Sequence, residues 1–188
     1  MGKAAGSSNM VQRQNGANTP AERADFEAAM RYRDELLRLG WPDCKAVGVM
    51  LGSKPTGAEA RASRERSAGR LLGVWAGRDT GYVYPDFQFL DSGAVNPRVA
   101  ELLDAMANIT GLSAAEDKSG WQRVFWLYQP RGRLSKQAIA LRRAAPEQVR
   151  ADPARFDKLE TAPRTPEDVF PHDPQAVIDL AREDAQAL

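Results

Sequence analysis

Thr56-Gly57-Ala58-Glu59-Ala60-Arg61-Ala62-Ser63-Arg64-Glu65-Arg66-Ser67-Ala68-Gly69-Arg70 leads without a break into Leu71-Leu72-Gly73-Val74-Trp75. A turn at Gly77-Arg78-Asp79-Thr80-Gly81 follows, and then Tyr82-Val83-Tyr84-Pro85-Asp86-Phe87-Gln88-Phe89. The first piece predicts a short helix from about 57 to 70 that turns Ala58 and Ala62 inward and leaves its arginines on the surface. The second predicts a β-hairpin with strands at 71–75 and 82–84, Gly77 and Gly81 giving the backbone freedom a tight connection needs. A basic helix followed by a hairpin is the order in which a winged helix-turn-helix meets DNA. The helix enters the major groove and the hairpin tip reaches the backbone. This order favours a binding protein over an enzyme.

Upstream of this stretch, Thr19 caps a helix that begins at Pro20, with Glu22 in its first turn and Phe26, Met30, Leu36, Leu37 and Leu39 on one side. Gly40 and Pro42 end it. Asp43 caps a second helix, Cys44 to Leu51, and Gly52-Ser53-Lys54-Pro55-Thr56 is the turn before the basic helix. Residues 1–19, rich in Gly, Ser, Asn and Gln, read as a disordered leader. Residues 20–90 then make a helix-turn-helix with a hairpin wing.

Downstream, Asn96-Pro97 starts a helix through Ile109 with Val99, Leu102, Leu103 and Met106 at helical spacing. Trp121 to Tyr128 is almost wholly apolar and predicts the central core helix, stopped by Pro130. Residues 134–150 read as an alanine- and arginine-rich helical region. Thr165-Pro166-Glu167-Asp168 opens a short helix and Asp173-Pro174 a last one through Leu188. Residues 94–188 therefore form a second, helical region, and the whole chain is mainly α with a small β-hairpin.

The net charge of +1 conceals segregation along the 188 residues. Residues 1–70 carry 12 basic and 8 acidic side chains, and 118–150 carry 8 and 1. Residues 71–117 carry 2 and 7, and 151–188 carry 4 and 9. Such asymmetry points to separate surfaces for separate partners. The single Cys44 excludes an intramolecular disulfide, and the single His172 leaves few nucleophile–base pairs for catalysis. Neither a membrane-spanning apolar run nor a signal-peptide core is present, so a cytoplasmic protein is the expectation.

The candidate DNA contacts are Lys54, Arg61, Arg64, Arg66, Arg70 and Arg78, since guanidinium groups bridge phosphates or read guanine edges bidentately. The competing reading is a solvated arginine face balanced by Glu59 and Glu65. Arg131, Arg133, Lys136, Arg142, Arg143 and Arg150 form a second basic region, read either as a nucleic-acid or acidic-partner surface or as an exposed helix face. Tyr82, Tyr84, Phe87 and Phe89 read as a strand packed on the core, and Cys44 as a buried structural thiol.

Tyr84-Pro85-Asp86-Phe87-Gln88-Phe89, approached through Gly69 to Val74, resembles a segment of the Xre/MbcA/ParS-type antitoxin family. Pro97–Met106 is similar to that family's first helix. Trp126-Leu127 with Pro130 and Leu134 is similar to its core. Thr165 to Val169 with Asp173-Pro174 and Val177 to Ala181 is similar to its closing helices. The resemblance covers about residues 69–188, interrupted by about thirty residues after Leu134 where the family has only a few.

It implies a DNA-binding antitoxin that represses its own operon and blocks a toxin of the RES class through its C-terminal helices, with no cofactor. The residues it implies for partner binding are Thr165, Asp168, Asp173, Val177, Ile178 and Arg182. The acidic C-terminal segment suits a basic nucleotide cleft on such a toxin. A homodimer is left open. The alternative is a protein adaptor or phage/plasmid accessory protein that does not bind DNA.

Overall fold

The computed structural model describes residues 19–136, 139–140, 143 and 162–187. The expected leader and most of the stretch after Ser135, including Arg142 and Arg150, lie outside the described residues. The fold is mainly α-helical with one small two-stranded antiparallel sheet. By internal contacts the chain divides after Arg38, and Leu39–Leu188 hold together as one unit. The hairpin and the helices that follow it therefore belong to the same unit.

The first unit contributes helix α1, Pro20–Leu37. Its start follows the expected chemistry. Thr19 accepts from the Glu22 amide at 3.2 Å, and the Thr19 amide donates to the Glu22 carboxylate at 2.6 Å, a reciprocal capping box.

The second unit opens with α2, Cys44–Met50, capped by Asp43, whose Oδ1 accepts from the Ala46 amide at 2.8 Å. A single 3₁₀ turn, Pro55–Gly57, leads into α3, Ala58–Ser67. The two helices pack at very short range because Gly48 has no side chain. A Cβ there would lie 1.9 Å from the Ala58 carbonyl oxygen, and Val47, Ala58 and Ala62 are fully buried around this contact. Helix α3 ends before the sequence suggests. Gly69 reverses the chain at φ +69°, so Arg70 lies beyond the helix, its amide bonded to the Glu65 carbonyl at 2.9 Å.

The hairpin strands are β1, Val74–Gly77, and β2, Gly81–Val83, paired Val74 to Val83 and Trp75 to Tyr82. They are shifted from the expected 71–75 and 82–84. Leu71 and Leu72 are buried, but they precede the strand. The expected continuation of the second strand through Phe89 stops at Val83. Pro85 cannot donate to a ladder, and Asp86–Gln88 closes into a 3₁₀ turn instead. Tyr84, Phe87 and Gln88 are buried all the same, so the aromatic run belongs to the core without being a strand. The segment before α2 adds to the sheet: the Tyr84 amide bonds the Pro42 carbonyl at 2.9 Å, and Asp43 bridges Val83.

Helix α4, Val99–Met106, follows a turn in which Asn96 Oδ1 accepts from the Arg98 amide at 3.0 Å. Helix α5, Trp121–Tyr128, lies where the sequence places it, with Val124 and Leu127 fully buried. Gly120 enters it at φ +81°, and a Cβ there would lie 2.3 Å from the Gly73 carbonyl oxygen. This close approach seats α5 against the foot of the hairpin. There the Trp75 amide bonds the Ser119 carbonyl at 2.8 Å, and the Trp121 indole donates to the Trp75 carbonyl at 3.0 Å.

Helices α6, Pro166–Val169, and α7, Pro174–Gln186, close the unit. Phe170 meets Phe87 edge-on with ring centroids 5.6 Å apart, joining the chain end to the turn after the hairpin. Among the described residues no helix is long and apolar enough to cross a membrane.

Candidate functional site

Helices α2 and α3, the turn between them and the hairpin place the six expected DNA-contact residues in three different situations. Arg61 and Arg70 converge on one carboxylate. Arg61 Nε lies 3.1 Å from Glu65 Oε1, and Arg70 Nε donates to Oε2 of the same residue. The Arg70 hydrogen bond, helped by the charges of Arg61 and Arg64, holds the Glu65 carboxyl below its ordinary range. Glu65 is buried and keeps its charge beside these partners, so two of the four arginines are tied to one carboxylate that offsets one of their two charges.

Arg66 serves the fold. Its guanidinium lies over the Tyr82 ring, 3.8 Å from the centroid, and its Cδ fills the space left by Gly73. Arg66 thus pins the end of α3 to strand β2.

Lys54, Arg64 and Arg78 are exposed and make no ion pair among the described residues. They flank the helix start, the helix surface and the hairpin tip. Of the six expected contacts, these three are the ones both exposed and without an ion pair among the described residues.

A polar contact joins α2 to the residue that follows β2. Tyr84 is fully buried, and its hydroxyl is 3.3 Å from the half-buried Cys44 Sγ. Burial first, and then the hydrogen bond to Cys44, push the Tyr84 phenol well above its ordinary range, while Arg66 opposes the shift. Cys44, expected as a buried structural thiol, is only half-buried, and it packs against the cluster of Val47, Ala62, Leu71 and Tyr84.

The expected partner residues are also divided. Val177 and Ile178 are fully buried, which corrects their expected role: together with Leu180 they form the inward face of α7, which packs against α4. Thr165 is half-buried and donates to the Glu167 carboxylate at 3.1 Å. Asp168 is exposed and paired with Arg164 at 3.2 Å. Asp173 caps α7 and pairs with Arg143 at 2.7 Å. Arg182 is exposed and reaches Glu101 of α4 at 2.9 Å and Asp179 at 3.4 Å. Only Asp168 and Arg182 of the six present exposed charge.

The segregated charge of the sequence is partly reunited by the fold. Arg131 and Arg133, from the second basic region, approach Asp184 of α7 at 4.0 and 3.5 Å. Asp184 also accepts from the Trp126 indole at 2.9 Å. The basic and acidic blocks thus meet each other within the fold, and this part of the asymmetry is consumed internally.

A cleft of about 560 Å³ was not foreseen from the sequence. It lies between the end of α3, the foot of the hairpin, α4 and the loop before α5, and its polar residues are Arg66, Ser67, Asp104, Lys118 and Arg123. These are scattered over nearly sixty positions, a spacing that carries no local signal. Among the described residues no group of three or more His, Cys, Asp and Glu is placed to hold a metal ion. The chain matches no protein-family model, no curated protein and no solved structure.

Proposed function

We propose that this protein is a DNA-binding regulator of the antitoxin type, represses transcription and binds a partner toxin through its C-terminal helices. The observation that carries the DNA half is the order α2, turn, α3, hairpin in one packed unit, with Lys54, Arg64 and Arg78 exposed along it. Arg64 lies in the last turn of α3 and is, with Lys54 before the helix and Arg78 at the hairpin tip, a candidate for phosphate contact. Arg61 and Arg70 are secondary, because contact with DNA competes with Glu65 for them.

The partner half rests on the resemblance of residues 69–188 and on the exposed charges of α6 and α7. With Val177 and Ile178 inside the fold, the docking surface consists of polar groups around Asp168 and Arg182. The partner is a RES-type toxin protein, met through charge complementarity.

Gel retardation of duplex DNA taken from upstream of the protein's own gene tests the first half. Retardation by the wild type and its loss in K54A/R64A/R78A, at unchanged thermal stability, is the expected result. No retardation by the wild type, or equal retardation by the variant, overturns it and favours the adaptor reading.

A further inference from the structure

We propose that the cleft between α3, α4, the hairpin foot and the loop before α5 is a binding site for a small organic anion with an apolar body. Its volume, about 560 Å³, is within the usual range of small-molecule sites. One part of its lining is apolar, with Leu71, Leu103 and Ala107 among the contributors. The polar part is dominated by cations.

Three positive side chains line the cleft, and they are not equally balanced. Arg123 is held by the buried Asp117. Its amide and Nε bond Asp117 Oδ2 at 3.0 and 3.1 Å, and its Nη2 bonds the Asp117 carbonyl at 2.8 Å. This fixes the guanidinium in place and leaves Nη1 without a partner among the described residues. Lys118 makes no ion pair there and is exposed. Arg66 is stacked on Tyr82 and also lines the cleft.

Asp104 is the one carboxylate in the lining. It is exposed, and its side chain has no partner among the described residues. With Asp117 already matched to Arg123, the cleft retains Arg66 and Lys118 against Asp104. The ligand that fits is therefore an anion whose charged end meets Lys118 and Arg66. Its hydrocarbon body lies against Leu103 and Ala107, and an N–H or O–H faces Asp104. This assignment does not depend on DNA binding.

The probe is 8-anilinonaphthalene-1-sulfonate, with uncharged N-phenyl-1-naphthylamine as its control, titrated by fluorescence against the full chain. The sulfonate is expected to bind a site that Lys118→Glu weakens by roughly tenfold or more, as loss of a charge-assisted contact requires. Asp104→Asn should tighten it by about two- to fivefold. The uncharged probe should bind more weakly and ignore both changes. Lys118→Gln is the second variant should the charge reversal disturb folding, and it should weaken the sulfonate in the same sense. Sulfonate affinity that is unchanged in the Lys118 variants, or equal affinity for the uncharged probe, overturns the assignment.

Discussion

Gln88 and Leu72 exchange two hydrogen bonds: the Leu72 amide donates to Gln88 Oε1 at 2.8 Å, and Gln88 Nε2 donates to the Leu72 carbonyl at 3.0 Å. A side-chain amide here takes the place of a neighbouring strand. Nε2 also donates to the Pro85 carbonyl at 2.9 Å, and Gln88 is fully buried. The link joins the approach to the hairpin with the turn that leaves it. Gln88→Leu should leave the Leu72 amide and carbonyl buried without partners and lower stability by about 1–3 kcal/mol for each lost group. Urea unfolding followed by tryptophan fluorescence measures this. A Gln88→Leu midpoint equal to that of the wild type would show that water replaces the amide.

Gly48 sets the distance between α2 and α3. Gly48→Ala places a methyl where the Ala58 carbonyl stands and should cost about 1–3 kcal/mol, the range for overpacking. Loss of DNA retardation should accompany it, because α3 is displaced from α2. Full stability and full DNA binding in this variant would mean that the helices separate freely and that their close packing has no role.

Tyr84 gives the protein an alkaline limit. Its phenol is held protonated in the folded state, whereas in the unfolded chain it ionises near its ordinary value of about 10. Its contribution is therefore fully present below that value and is lost as the pH rises above it, by up to about 1.4 kcal/mol per unit. Denaturation midpoints from pH 8 to 11 should fall more steeply for the wild type than for Tyr84→Phe. Parallel curves would mean that the hydroxyl is ionised or hydrated in the folded protein.

Helix α7 combines support of the fold with a polar surface. Ile178→Ala should lower stability by about 2–5 kcal/mol, the cost of truncating a buried aliphatic side chain. Truncation before Pro174 should abolish cooperative unfolding of residues 39–188, since Val177, Ile178 and Leu180 are all buried. Arg182→Glu and Asp168→Lys should leave the melting temperature nearly unchanged, because exposed ion pairs contribute little. These two variants, and not the truncation, are the informative ones for partner capture. If a RES-type toxin is captured equally by wild type and both variants, the docking surface lies elsewhere.

Features that depend on neighbouring residues were legible in the sequence. The Thr19 capping box, the Asp43 and Asp173 caps and the apolar run of α5 each announce themselves within a few positions. The hairpin was legible because Gly77 and Gly81 bracket its turn. What escaped depends on contacts distant in sequence. The pairing of Arg61 and Arg70 with Glu65 spans at most five positions and was the competing reading of the basic helix, but nothing near Arg66 tells that its guanidinium covers Tyr82. Four arginines therefore read as one basic surface although three are engaged within the fold. The resemblance assigned Val177 and Ile178 to a partner, whereas they cover helix α4, some seventy residues away in sequence. The lining of the cleft is dispersed in the same way.

The most direct measurement is the salt dependence of duplex DNA affinity, by fluorescence anisotropy between 50 and 200 mM salt. Each neutralised phosphate contributes about −0.9 to the slope of log affinity against log salt concentration. With Lys54, Arg64 and Arg78 as the available cations, the slope should be roughly −2 to −3 per protomer, falling close to zero in K54A/R64A/R78A. Wild-type affinity that does not change with salt, or a triple variant with the wild-type slope, would contradict DNA binding through α3 and the hairpin.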